Sequence, residues 1–408
     1  MSRASASRAL AALLLAVVWA HPSHGSEQSH QGEMAWHALS PHNAEFAIAL
    51  ERRLKAKAAG GKNVFYSPLG ISTALSMLSA GAHGDTHTQL FSSLGYSTLD
   101  QMQVNEAYKY ALHILNNQEN VQLEVGNSVA VRTGFNPLPA FLNDIQQYFM
   151  GEIFKVNFKN PAKAEAQINQ HIATKTHDKI KDLVKGLDPQ TSMVLINWVY
   201  FRGQWLKPFE KRLTTKDDFY VDKNTKVKVD MMRTTEFFDS YHDYVNHAVI
   251  LQLPYKGSTS MMLVLPDEGM ADVVESRIKD SVMKWQNALS QRRIDLSMPK
   301  FSISAEASLE DILKEMGITR AFENSADFSG ISEEVKLVVS KVSHKAVLSV
   351  DENGTEAAAA TTIEIMAMSS LEGLTETVKI NRPFFVFIVE LSTRSFIFMG
   401  RINNPTLS

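Results

Sequence analysis

The chain has 408 residues and no cysteine, which excludes disulfides, cysteine catalysis and thiolate metal sites. Its formal net charge is −3 at pH 7, so the charge balance gives no reason to expect nucleic acid or an acidic membrane surface as a partner. With 44% hydrophobic and 21% charged residues, the composition is that of an ordinary globular protein, long enough for one large domain.

Residues 1–25 have the pattern of a secretory signal peptide. Arg3 and Arg8 provide a positive start, and the apolar run from Ala9 to Ala20 is too short to span a bilayer. Cleavage after residue 20 or after residue 25 fits the small side chains found there. No later apolar run is long enough for a membrane anchor, so we expect a secreted, extracellular protein with no membrane partner.

Residues 26–42 are polar and contain several histidines without regular ligand spacing. We therefore expect a flexible N-terminal segment there and no metal site. The pattern from Asn43 to Ala58 predicts an amphipathic helix that ends at Gly60 and Gly61. A short buried strand follows, and a helix rich in small residues is predicted from Ile71 to Gly81.

The residues from Met193 to Phe201 form a nearly continuous apolar run, typical of a strand covered on both faces. Asn197 is the polar exception, and leaving a buried amide unpaired would cost about 1–3 kcal/mol. Further strands are predicted at Ala248–Leu253, Ser260–Leu265, Lys336–Val350, Phe384–Val389 and Phe396–Met399, and further helices at Leu99–Asn117 and Ser308–Met316. Helices mixed with mainly antiparallel strands predict an α+β protein.

The stretch from Gly354 to Ser370 has the pattern of a strand but lies where a loop is expected. At a period of two, one face is uncharged and the other carries Glu356 and Glu364. The next strong strand begins only at Val378, and a connector of this length in a compact domain is usually functional. The sequence therefore describes an exposed loop that is able to become a strand.

This stretch begins with a run that resembles the hinge of inhibitory serpins: Gly354, Thr355, Glu356, Ala357, Ala358, Ala359, Ala360 and Thr361. The runs Asn381–Phe385 and Phe398–Pro405 are similar to the serpin signature near the carboxyl terminus. The resemblance is nearest to the antitrypsin and antichymotrypsin group. It implies one serpin domain over residues 43–408, with three sheets, about nine helices and an exposed reactive-centre loop at about 354–377.

The resemblance also assigns residues to the region where the main sheet of a serpin opens: Ser67, Asn197, Trp205, Lys300, His344 and Glu352. It makes His344 the partner of Asn197, and it pairs Glu352 with Lys300 where the loop begins. From the residues alone, Asn197, His344 and Trp205 fit an ordinary core equally well.

Counting along the loop of the family places the scissile bond at Met368–Ser369, with Met366 as a second candidate. Methionine is unbranched and apolar, and no lysine or arginine occurs between Gly354 and Ser370. The resemblance therefore implies a suicide inhibitor of an elastase-like or chymotrypsin-like serine protease, acting as a monomer without a cofactor.

Two alternatives belong to other functional classes: a non-inhibitory serpin that carries a small hydrophobic hormone, and a storage or chaperone-like serpin. The small residues of the hinge favour inhibition over both. No catalytic motif occurs, so we do not expect an enzyme. The helix at Leu99–Asn117 has no basic run, and acidic residues dilute the cations near Arg277, so heparin is not an expected partner. Asn353 begins a glycosylation sequon.

Overall fold

The structure is a computed structural model that describes residues 24–58, 60–118, 121–355 and 375–407. These residues form an α+β fold. The helices are α1 (His24–Lys57), α2 (Pro68–Ser79), α3 (Gly84–Leu94), α4 (Gln101–Asn116), α5 (Pro139–Phe149), α6 (Pro161–Lys175), α7 (Ala271–Ala288) and α8 (Glu310–Glu315), with 3-10 turns at Lys211–Leu213 and Arg320–Phe322. None of these helices is both long and apolar enough to cross a membrane.

The strands are β1 (Val64–Tyr66), β2 (Val121–Arg132), β3 (Gly151–Val156), β4 (Met193–Gln204), β5 (Thr215–Tyr220), β6 (Lys226–Asp243), β7 (Ala248–Pro254), β8 (Thr259–Pro266), β9 (Ser290–Pro299), β10 (Phe301–Ser308), β11 (Val339–Asp351), β12 (Gly354–Thr355), β13 (Glu376–Lys379), β14 (Phe384–Glu390) and β15 (Ser395–Ile402). The two strands predicted near the carboxyl terminus form the expected buried hairpin, β14 and β15.

Hydrogen bonds join the described strands into two sheets. One has six strands in the order β10-β11-β12-β4-β2-β3, and the other has nine, in the order β1-β15-β14-β8-β7-β6-β9-β13 with β5 attached to β6. The resemblance implied three sheets. Two of them are continuous here because β6 is 18 residues long and pairs with β5 at its beginning and with β7 through Asp239–Asp243.

Helix α1 corrects one expectation from the sequence. It begins at His24, so residues 26–42 lie in a helix and not in a flexible segment. Trp36 and Leu39 are 1% and 0% exposed, and Trp36 Nε1 donates a hydrogen bond to the Thr393 carbonyl at 2.7 Å. The burial of these two side chains fixes the helix, although Pro41 lies inside it and its polar residues conceal the pattern.

Helix α2 packs beneath the six-stranded sheet. All of its residues are buried, and it packs against β2, β4 and β15. Ser67 caps its first turn, because the Ser67 hydroxyl accepts a hydrogen bond from the Gly70 amide at 3.1 Å. The small residues predicted for this helix allow that close packing. A Cβ on Gly70 would lie 2.6 Å from Asn197 Oδ1.

Candidate functional site: the seam between β4 and β11

The two central strands of the six-stranded sheet pair along one part of their length and separate along the rest. β11 pairs directly with β4, in parallel, from Val339 to Val347. Beyond that point β12 lies between them. Its residues, Gly354–Thr355, pair antiparallel with Gly203–Gln204 of β4 and with Val350–Asp351 of β11. The first two residues of the predicted hinge therefore already occupy a strand position inside the sheet.

Glycine is required at position 354. Its φ is +139°, which L side chains rarely adopt. A Cβ there would lie 2.1 Å from the Gly203 carbonyl oxygen and 2.8 Å from the Trp205 amide nitrogen. At the first position of the predicted hinge, the backbones of β12 and β4 therefore lie too close together for a side chain.

The directly paired part of the seam contains a buried polar network at its centre. His344 Nε2 accepts a hydrogen bond from the Ser67 amide at 3.0 Å, so the ring proton is on Nδ1. That nitrogen donates to Asn197 Oδ1 at 2.6 Å. The amide nitrogen of Asn197 in turn donates to Asn127 Oδ1 at 2.9 Å and to the Gly126 carbonyl at 3.2 Å. Every strong hydrogen-bonding group named here therefore has a partner, as burial requires.

The network is electrically neutral. Burial lowers the pKa of His344 from 6.5 to about 3, because a low-dielectric surrounding disfavours the charged imidazolium. The Ser67 hydroxyl extends the network by donating to the Ile397 carbonyl at 2.6 Å. The network thus ties β11, β4 and β2 to the start of α2 and to β15.

Trp205 lies where β12 meets β4. It is 2% exposed, and its ring stacks on Tyr255 with a centroid distance of 4.4 Å and an interplanar angle of 8°. Trp205 Nε1 donates to the Asp351 carbonyl at 2.9 Å, and its backbone amide donates to the Asn353 carbonyl at 2.9 Å. Trp205 therefore holds the end of β11 and the following turn against β4.

We call the end of the seam where β12 (Gly354–Thr355) lies between β4 and β11 its mouth. Glu352 is buried there. It is 4% exposed, with Oε2 lying 3.0 Å from Lys300 Nζ and Oε1 accepting from the Thr214 hydroxyl at 2.8 Å. Burial by itself raises the pKa of Glu352, but the hydrogen bonds from Lys300 and Thr214 together with the charge of Lys300 give a net lowering. The carboxylate is therefore charged at neutral pH and joins the turn after β11 to the end of β9.

The structure thus brings Ser67, Asn197, Trp205, His344 and the Glu352–Lys300 pair together along one seam. The rest of the predicted hinge, from Glu356 to Thr361, and the Met368–Ser369 bond lie outside the described residues. Sequence reasoning did not single out Asn127, Thr214, Tyr255 or Gly203. Only Gly203 gave a local signal, because glycine inside an apolar strand often marks a close backbone approach.

A family model described as Serpin (serine protease inhibitor) matches residues 41–405, and the chain belongs to the serpin family. An alpha-1-antitrypsin homolog from Cyprinus carpio is 50% identical over 357 residues, which cover 87% of this chain and 95% of that protein. Alpha-1-antiproteinase 2 from Equus caballus is 38% identical over 384 residues, covering 93% of this chain and 90% of that protein.

Solved structures agree with this assignment. Human thyroxine-binding globulin complexed with thyroxine aligns with a TM-score of 0.86 at 36% identity, covering 91% of this chain and 100% of that chain. Human glycosylated kallistatin aligns with a TM-score of 0.84 at 36% identity, covering 92% of this chain and 99% of that chain. The α+β serpin fold and the likeness to the antitrypsin group, both predicted from the sequence, are confirmed.

Proposed function

We propose that this serpin is a secreted suicide inhibitor of an elastase-like or chymotrypsin-like serine protease, cut at Met368–Ser369. One observation carries the proposal: Gly354–Thr355 already lies as a strand between β11 and β4. The loop that follows is attached to the sheet at the point where the two central strands separate. Strand addition of this kind is the mode by which serpins take up their reactive loop.

The first step is ordinary acyl transfer. The serine hydroxyl of the protease attacks the carbonyl of Met368, and the peptide bond to Ser369 breaks. The leaving group is the amine of Ser369, which becomes a new amino terminus. Met368 remains attached to the protease serine as an ester. Hydrolysis of that ester would release the protease, so inhibition requires a competing step that is faster.

Insertion of the cut loop supplies the competing step. The segment from Thr355 to Met368 is long enough to run the length of the seam from Val350 to Val339. The parallel pairing of β11 with β4 would be replaced by two antiparallel pairings, which are slightly more stable per residue. The uncharged face of the segment would become buried, and each of Ile363 and Ile365 would contribute on the order of 2 kcal/mol.

Insertion also has a cost in the directly paired part of the seam. A strand placed between β4 and β11 separates Asn197 from His344, whose side chains are 2.6 Å apart in the closed sheet. Leaving these groups unpaired would cost about 1–3 kcal/mol each. The free energy gained from new backbone pairing and from apolar burial has to exceed that cost. The attached protease moves along the sheet as the strand enters.

The test uses full-length secreted protein with pancreatic elastase, neutrophil elastase and chymotrypsin, and with trypsin as the control. We expect an SDS-resistant complex with at least one of the first three proteases. The mass of that complex should equal the mass of the protease plus that of the fragment of this chain that ends at Met368. Trypsin should form none, because the loop has no lysine or arginine between Gly354 and Ser370. Clean cleavage after Met368 without any complex would contradict the proposal.

A hormone carrier is the second candidate, because the thyroxine-binding globulin structure with thyroxine aligns with a TM-score of 0.86. Thyroxine titration, followed by quenching of tryptophan fluorescence, discriminates between the two. Saturable binding together with a failure to form protease complexes would support the carrier.

A further inference from the structure

We propose that Asn353 carries an N-linked glycan, which protects the mouth of the seam from the loop of a second copy of this chain while leaving insertion of the chain's own loop possible. Asn353-Gly354-Thr355 is the only N-x-S/T sequence without a central proline in the whole chain. It lies between β11 and β12, at the place where the sheet opens. The proposal rests on the secretion and the loop insertion proposed above.

The backbone at Asn353 is already fully used. Its amide donates to Asp351 Oδ1 at 2.8 Å, and its carbonyl accepts from the Trp205 amide at 2.9 Å. A sugar joined to Nδ2 breaks neither of these hydrogen bonds. The sugar is also transferred to the chain during synthesis, before this turn has formed.

Asn353 is more exposed than either of its neighbours in the turn. Its neighbours Glu352 and Gly354 are buried, whereas Asn353 is partly exposed. Glu352 is held by Lys300 and Thr214, and Gly354 touches the backbone of β4. A glycan at Asn353 therefore extends away from the sheet, since the two flanking residues occupy the protein side of the turn.

The position of the turn separates the two kinds of insertion. The chain's own loop continues from Thr355 toward the Val347–Tyr200 pair, which is where direct pairing of β11 with β4 ends. It moves away from Asn353 as it enters, so the glycan remains at the mouth of the seam. A loop from another molecule has to reach the same seam from outside, where the glycan excludes it.

Occupancy is tested first, and independently of any protease. The chain is secreted from cultured cells that glycosylate and is then treated with peptide N-glycosidase F in water labelled with the heavy isotope of oxygen. The peptide containing Asn353 is analysed by mass spectrometry. We expect Asn353 to be converted to aspartate with incorporation of heavy oxygen. Thr355→Ser, which retains a sequon, should keep the modification, and Asn353→Gln should lose it. An unmodified Asn353 in secreted wild-type protein overturns the proposal.

The shielding effect is tested next, by warming glycosylated wild type and Asn353→Gln at equal concentration. We expect Asn353→Gln to form polymers about tenfold faster, equivalent to about 1.4 kcal/mol in the activation barrier, while the stoichiometry of protease inhibition stays the same. Wild type treated with the glycosidase in its folded state should behave like the variant. Equal polymerisation rates, or a higher inhibition efficiency after removal of the glycan, overturn the shielding role.

Discussion

The seam between β4 and β11 has two parts that are closed by different means. In the first part the strands pair directly, and a neutral network centred on His344 joins them. In the second part β12 stands between the strands, and the contacts at its edge include the charged Glu352–Lys300 pair. Under the proposed mechanism, the mouth would admit a strand, whereas the directly paired part would resist one until the loop has been cut. Variants that alter one part and spare the other test this division.

The largest effect is expected for Thr355→Arg at the mouth. The sequence pattern places residue 355 on the inward face of the inserting strand, and an unpaired buried charge costs several kcal/mol. Insertion should then be slower than hydrolysis of the acyl-enzyme, so most of the chain should be cleaved without trapping the protease. Gel densitometry of complex against cleaved chain measures this, with Thr355→Ser as the matched control. A full yield of complex from the arginine variant would contradict the insertion mechanism.

The next largest effect is expected for His344→Ala in the directly paired part. The substitution leaves the Ser67 amide and Asn197 Oδ1 without their partner, and we expect a loss of roughly 3 kcal/mol in the free energy of unfolding. Urea unfolding measures the loss. His113→Ala on the exposed face of α4 is the control, with an expected change within about 0.5 kcal/mol. Equal midpoints for the two variants would show that the network does not hold the seam.

Glu352→Lys should weaken the mouth alone. It places two cations together, and we expect a loss of about 2 kcal/mol, less than for a fully buried pair because the Lys300 side chain is 37% exposed. Polymers formed on warming are measured by size-exclusion chromatography. The double variant Glu352→Lys/Lys300→Glu restores opposite charges and should recover much of the loss. A single variant that stays monomeric at the same temperature would contradict this role.

The pH dependence separates the two parts further. The pKa of His344 falls from 6.5 to about 3 on folding, so its contribution to stability is present above pH 6.5 and is lost as the pH falls toward 3. The expected slope is about 1.4 kcal/mol for each pH unit in that window. The difference in melting temperature between wild type and His344→Ala should therefore narrow between pH 7 and pH 4. A difference that stays constant over this pH range would contradict the neutral assignment of His344.

Trp205→Phe should have the smallest effect. It keeps an aromatic ring against Tyr255 but removes the hydrogen bond from Nε1 to the Asp351 carbonyl, a loss of about 1 kcal/mol. Trp285→Phe is a matched control, because Trp285 Nε1 donates to Asp243 Oδ2 at 2.8 Å away from the seam. Trp285→Phe should lower stability at least as much, because the partner it loses is a buried carboxylate, but only Trp205→Phe should speed polymerisation. Equal polymerisation rates would argue against a special role for Trp205.

The sequence predicted the elements whose pattern is local. The apolar run of β4 and the buried helix α2 were found within a few residues of their observed ends. Asn197 was identified from the residues as a buried amide in need of a partner, but its partner His344 lies 147 positions away. Only the family resemblance connected the two, because no local pattern encodes a contact between distant strands.

The misses have the same physical origin. The beginning of α1 was missed because its burial depends on contacts such as that of Trp36 with the Thr393 carbonyl, far along the chain. Thr214 and Tyr255 gave no signal in the sequence, since each gains its role only when other elements fold around it. The reactive-centre loop was predicted from the local alternation of its residues, and most of it lies outside the described residues.

The tight turn at Glu352–Asn353 joins β11 directly to β12. Because β12 follows β11 after this turn, the segment that inserts in the proposed mechanism would be tethered beside the position it enters. Its effective concentration there would be of the order set by a short linker, about millimolar or higher. A free peptide with the sequence of residues 356–368 would have to be supplied at a comparable concentration to compete for the same position. In that mechanism, the covalent tether would let a sequence of small residues compete as a strand although each residue contributes little binding energy.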